Sequence, residues 1–180
     1  MSGSSFSFLN PAEALMPLEL HAGLRVADLS ASSGFFVRAA ARLVAPGDVW
    51  AVDPNPDLLR RIKTIAEAEG LRNVELMRGD IERKEGSNLP PNAFDVVLLI
   101  NRLFAAEHKT TISTEIHRIL KRGGRALVID WSDSHGGLGP TPAHVYSAKE
   151  AQTLFEDAGF SVVGSVPAGV YHWGLIIKKK

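Results

Sequence analysis

The nine residues Val26-Ala27-Asp28-Leu29-Ser30-Ala31-Ser32-Ser33-Gly34 constrain this chain more than any other stretch. They read as a buried strand that ends in a tight turn of small residues and opens into a helix. From Ser33 onward Phe36, Val37, Ala40, Ala41 and Val44 recur at spacings of three and four until Pro46-Gly47 stops them. Small residues at the end of a first strand let the backbone come close to a bound molecule, and the N–H groups opening the next helix face the same crevice. A second apolar strand follows at residues 48–52 and ends in Asp53, an acid placed to grip the two hydroxyls of a ribose. The two strand ends together point to a nucleoside-containing cofactor.

The rest of the chain repeats the alternation. Asn10-Pro11-Ala12-Glu13 carries the signals of a helix start, and Pro17 ends or kinks that helix. The first strand lies at about residues 24–30. After Asp53, Asn55 caps and Pro56 opens a helix with Leu58, Leu59, Ile62, Ile65 and Ala66 on one stripe, closed by Gly70. A strand over 73–78 ends in Gly79-Asp80, and residues 82–92 form a polar loop. Residues 94–100 are too continuously apolar for a half-exposed strand and belong in the middle of a parallel sheet. Ile112, Ile116, Ile119 and Leu120 mark a helix ended by Lys121-Arg122-Gly123-Gly124, and residues 125–131 a fifth strand. After a Gly- and Pro-rich loop at 132–146 and a helix from about 148 to 158 come strands 160–166 and 170–177. The short link Pro167-Ala168-Gly169 allows these only an antiparallel pairing. The expected fold is therefore α/β: a doubly wound, mostly parallel, seven-stranded sheet with an antiparallel C-terminal hairpin.

Bulk properties narrow the function. A chain of 180 residues, 45% apolar, suits one domain spanning 1–180, with residues 1–9 as a flexible lead-in. Basic and acidic side chains number 20 each, so no charge surplus draws the chain to nucleic acid or an anionic membrane, and Lys178-Lys179-Lys180 reads as a solvated chain end. The absence of cysteine excludes disulfides, a thiolate nucleophile and thiolate metal ligands. No two histidines have a metal-ligand spacing on one helix, so no metal is expected. The start Met1-Ser2-Gly3-Ser4-Ser5 does not resemble a secretory signal, and no apolar run approaches spanning length, so a cytoplasmic protein is expected.

The order of motifs, Val26 to Gly34, then Val52-Asp53, then Gly79-Asp80-Ile81, then Phe94-Asp95-Val96-Val97, then Leu120 to Arg125, resembles the class I S-adenosylmethionine-dependent methyltransferases. Gly159-Phe160 and the loop from Trp131 to Pro140 resemble the small-molecule branch related to the quinone-biosynthesis methyltransferases. The resemblance covers about residues 10–177. It implies a Rossmann-like fold, S-adenosylmethionine as cofactor and methyl transfer to a small-molecule acceptor.

The family's first motif is an acid followed by Gly-x-Gly-x-Gly, which here reads Asp28 followed by Ser30, Ser32 and Gly34 around Ala31. The resemblance sets Asp28 near the cofactor's amino group or ordering water there, against a plain role as a polar strand end, and Asp53, followed by Pro54, on the ribose hydroxyls. It sets Asp80 at the adenine amino group, Ile81 against the ring, and Asn101 against cofactor or acceptor. Plainer roles compete: helix capping for Asp53, turn stabilisation for Asp80, strand termination for Asn101. A serine held at positive φ costs roughly 1 kcal/mol or more, so restoring glycine at both Ser30 and Ser32 is expected to tighten cofactor binding. The two serines also sustain an alternative, a non-catalytic methyltransferase-fold protein that binds S-adenosylmethionine weakly or not at all. A nicotinamide-dependent oxidoreductase would need its third glycine where Phe35 stands.

Methyl transfer needs a base only when the acceptor must lose a proton, and the candidates are His108, His135, His144 and His172. His21 and His117 read as structural. The loop 132–146 is expected to cover the acceptor site.

Overall fold

The computed structural model describes residues 8–180, so the lead-in expected over 1–9 lies mostly outside the described residues. Asn10 caps the first helix by accepting from the Ala12 N–H at 3.0 Å, and Pro17 confines that helix, α1, to Pro11–Leu15 before a 3-10 turn over Met16–Leu18. Strand β1 (Val26–Asp28) leads through the small-residue turn into α2 (Phe35–Val44). Strand β2 (Val49–Asp53) leads into α3 (Pro56–Ala68), whose Asn55 cap accepts from the Asp57 N–H at 2.9 Å. Then follow β3 (Val74–Arg78), β4 (Phe94–Ile100) and α4 (Lys109–Ile119). The chain closes with β5 (Leu120–Trp131), α5 (Ala148–Asp157), β6 (Phe160–Ser165) and β7 (His172–Lys179).

The strands form one seven-stranded sheet in the order β3-β2-β1-β4-β5-β7-β6. All neighbours are parallel except β7, which runs antiparallel to both β5 and β6. Strand β4 is central, as its unbroken apolar run requires. Its alternate side chains feed two cores: Val96 and Leu98 meet Leu15, Phe36, Val37 and Ile62 on one face, while Val97 and Leu99 meet Ile112, Ile116 and Phe155 on the other.

Three local expectations are corrected. Helix α4 does not end in the run Lys121 to Gly124. Leu120, fully buried, pairs with Phe94 as the first residue of β5, and the register then jumps so that Arg125 opposes Val96. Residues 121–124 are thus a bulge in the strand, with Gly123 supplying the left-handed turn at φ +76. The link between β6 and β7 spans 166–171, because Val166 folds back to donate its N–H to the Gly174 carbonyl at 3.1 Å. A Cβ on Gly174 would lie 2.4 Å from the Val166 side chain, so only glycine admits that return.

The third correction concerns Lys179, which is not part of a solvated end. It is 9% exposed, and its ammonium donates to the His117 carbonyl at 2.6 Å, the Leu120 carbonyl at 2.7 Å and Asn92 Oδ1 at 2.9 Å. A cation at the C-terminus of a helix satisfies carbonyls that have no intrahelical donor and meets the negative end of the helix dipole.

Replacing Lys179 by Ala should therefore cost about 1–3 kcal/mol by orphaning buried carbonyls, while the same change at exposed Lys178 should stay within about 0.5 kcal/mol. Urea denaturation of the two variants measures the difference, and equal midpoints would refute the capping role.

Candidate functional site

Because β1, β2 and β4 are parallel, their C-terminal ends open on one edge of the sheet, where a crevice forms between chains leaving in different directions. A cleft of about 680 Å³ lies there. Its lining brings together most of the residues singled out in the sequence: Asp28, Ser30, Ala31 and Ser32 from the first turn, Asp53 and Pro54 from the second, then Ile81 and Asn101. Gly34 stands behind the lining at φ +75, where an added Cβ would come within 3.0 Å of Ile62, so it serves the packing of α2 on α3.

Asp28 is buried at the floor of the cleft. Loss of water raises its pKa to about 6 from an ordinary 3.8; the hydrogen bonds from Ser30 oppose that rise and the Asp53 charge adds to it. Asp53 serves its own turn with one oxygen, Oδ1 accepting from the Asn55 N–H at 2.8 Å, while lining the cleft. Asn101 sits at φ +52 with its N–H donated to the Ile129 carbonyl at 2.8 Å. Its Oδ1 is buried without a hydrogen-bond partner among the described residues. A buried carbonyl oxygen left so costs about 1–3 kcal/mol.

The two serines of the turn differ. Ser32 holds φ +41, so the steric argument for glycine applies to it. Ser30 has no left-handed backbone, and its hydroxyl is engaged, accepting from the Ile100 N–H at 2.7 Å and donating to Asp28 Oδ1 at 3.1 Å. The expectation that glycine relieves both positions therefore fails at Ser30.

Asp80 lies outside the lining. Its carboxylate accepts from the Glu82 N–H and from Arg83 Nε, both at 3.1 Å, which is the turn-stabilising role. Its neighbours Gly79 and Ile81 line the cleft instead.

None of the candidate bases His108, His135, His144 and His172 lines the cleft, and neither does any residue of the loop 132–146. His108 is the N-cap residue of α4, held through its backbone by Glu82. His144 Nδ1 bonds the Thr141 hydroxyl at 2.8 Å, and the His135 ring packs edge-on against Tyr171. His172 stacks on Trp131 with ring centroids 4.3 Å apart, and neither ring nitrogen has a partner among the described residues. Burial, and next the nearby His135, hold its pKa below the usual histidine value.

Several lining residues carry no signal in the sequence. Leu9, Pro11 and Phe35 also line the cleft, as does Arg102, which is paired with Glu82 at 2.9 Å. Fully buried Asp130 at the end of β5 accepts from the Leu103 and Phe104 N–H groups at 2.7 and 3.2 Å. It thereby fixes the chain just beyond Asn101 and Arg102. Burial raises its pKa, and an acid directly after the apolar run Ala126 to Ile129 is the one trace of it in the sequence.

A family model described as "Methyltransferase domain" matches residues 20–165. Over 111 residues the chain is 33% identical to a ubiquinone/menaquinone biosynthesis C-methyltransferase UbiE of Burkholderia vietnamiensis and 32% identical to that of Burkholderia multivorans. Each match covers 61% of this chain and 44% of the relative, so the chain matches less than half the length of these proteins. Among solved structures, a SAM dependent methyltransferase from Aquifex aeolicus superposes with a TM-score of 0.86 at 25% identity, covering 96% of this chain and 91% of the other.

The burial of Asp28 has a sign that can be measured. Its folded pKa of about 6 exceeds its unfolded 3.8, so its contribution to stability is complete below pH 3.8 and is lost as pH rises through about 6. Asp28→Asn should lack that slope and be more stable than the wild type at pH 7.5, by ~3 kcal/mol at most. Thermal unfolding of both proteins from pH 4 to 8 tests this; parallel curves would place Asp28 in water.

Proposed function

The chain belongs to the methyltransferase domain family, and from that membership we propose that it transfers the methyl group of S-adenosylmethionine to a small-molecule acceptor. The observation that carries the reading is the convergence of Asp28, Asp53 and Asn101 on one cleft. These groups fit the cofactor's chemistry. Buried Asp28 suits an ammonium group, the carboxylate of Asp53 suits a pair of ribose hydroxyls, and Ile81 offers an apolar surface to a base. Asn101 lines the same cleft beside cofactor or acceptor, and Ala31 with Ser32 lets the backbone approach the amino-acid portion. Asp80 remains with its turn in this reading.

S-adenosylmethionine, when bound, supplies a methyl group already made electrophilic by the sulfonium. The protein's part is then to hold the acceptor in line and keep water away. Leu9, Pro11 and the 61% exposed Phe35 give the cleft an apolar mouth suited to a planar, weakly polar acceptor. Together with the names of the Burkholderia relatives, this favours a quinol-type aromatic ring as the acceptor class. No histidine base is assigned, in keeping with a cleft lined by none.

We place the protein in the cytoplasm as one methyltransferase domain without nucleic-acid or membrane partners. Its balanced charge supports that placement, and no helix among the described residues is long and apolar enough to cross a membrane.

Calorimetric titration with S-adenosylmethionine and S-adenosylhomocysteine tests the reading, followed by transfer of a labelled methyl group to small quinols. No heat with either ligand would overturn it in favour of a non-catalytic protein of the same fold. Asp53→Ala should weaken binding by roughly 2 kcal/mol, about thirtyfold, through lost charge-assisted hydrogen bonds. Unchanged affinity in a folded variant would restrict Asp53 to its bond with Asn55.

A further inference from the structure

Strand β1 pairs with β4 as far as Asp28 opposite Leu98, and the Leu29 N–H still reaches the Leu98 carbonyl at 3.0 Å. The next inward donor of β4 is the Ile100 N–H. No backbone carbonyl of β1 meets it, because the chain has entered the turn. The Ser30 hydroxyl takes that place, accepting from Ile100 at 2.7 Å. With an acceptor position filled by Ile100, the hydroxyl proton goes to Asp28 Oδ1 at 3.1 Å, and the Ser30 N–H donates to the same oxygen at 2.9 Å. Two donors thus converge on Oδ1, while Oδ2 accepts from no described group. One side chain fixes both the rotation of the Asp28 carboxylate and the end of β4, from which Asn101 and Arg102 enter the cleft.

We propose that Ser30 is a positioning residue for the cofactor, its hydroxyl orienting the Asp28 carboxylate so that Oδ2 receives the cofactor's ammonium while it anchors the strand end that presents Asn101. The proposal rests on the methyltransferase reading and goes beyond it, because it makes the first serine of the turn a working part of the site.

Physical consequences follow for proton linkage. Burial favours the protonated Asp28, and the Ser30 donors favour the ionised one. Around it, Asp53 from β2 adds an opposing negative charge, and Arg102 beyond β4 is the cation of the lining, already paired with Glu82. An ammonium ligand binds the carboxylate, so affinity climbs as Asp28 ionises and then levels. Removing the hydroxyl moves that climb to higher pH.

The test is titration with S-adenosylhomocysteine, which keeps the ammonium group, from pH 5 to 8.5. The proteins are the wild type, Ser30→Ala, Ser30→Gly, Ser32→Gly, Asp28→Asn and the double variant Ser30→Ala with Asp28→Asn. Both Ser30 variants should bind about tenfold more weakly at pH 7, with the midpoint of the rise moved up by about one pH unit. Ser32→Gly should keep the wild-type midpoint. In the Asp28→Asn background Ser30→Ala should cost little further affinity, since the two act as a unit. Ser30→Gly serves should Ser30→Ala fail to fold, and melting curves identify that case. Weaker binding with an unmoved midpoint, additive losses in the double variant, or tighter binding by Ser30→Gly would each overturn the proposal. A wild type that binds nothing would instead overturn the methyltransferase reading beneath it.

Discussion

Parallel strands cannot be joined by a tight turn. Each of β1, β2 and β4 must send the chain back across a face of the sheet before the next strand begins, and that requirement organises the rest of this protein. Both faces become covered, so the central strands are mostly apolar on both sides, and their carboxyl ends gather at one edge. The strand ends are where the chain must turn sharply and where small or acidic residues are tolerated. The cleft is a product of topology first and of side chains second.

Carboxylates at those ends are not equivalent. Asp28 ends β1 and Asp130 is the penultimate residue of β5, and burial pushes both toward the protonated form. Asp130 spends its oxygens on backbone donors at residues 103, 104 and 131 and so stiffens the wall of the cleft. Asp28, which lines the cleft, bonds Ser30 through Oδ1 alone, and its other oxygen accepts from no described group. The asymmetry supports the proposed role of Asp28 in recognition, and the cost its burial imposes on the unliganded fold is of the kind binding sites commonly carry.

Much of this was legible in the residues. Periodicity located all seven strands, and the caps at Asn10 and Asn55 stand where the pattern placed them, because those signals are local. What escaped depends on contacts distant in sequence. Lys179 belongs to a run of three lysines, and only the pleat of β7 turns the middle one inward over the end of α4. The small-residue motif showed where a ligand could approach but not that Ser30 would meet an N–H of a strand seventy residues away. Asp80 and Asp53 look alike as acids after strands, yet Arg83 engages one in its own turn while the other keeps a place on the cleft. The histidines of the loop and hairpin read as possible bases from sequence position. The fold sets them among Trp131, Tyr171 and Thr141 instead.

Strand β7 is made after β6 but lies between it and β5. During synthesis on a ribosome, β6 and the helix before it emerge with no sheet edge to join, because the only neighbour of β6 has yet to be translated. The polypeptide must keep Phe155, Phe160 and Val162 from sticking elsewhere until β7 slides into the gap and bonds both ways at once. The sheet is therefore completed only once β7 has been made, later than the strands whose ends line the cleft.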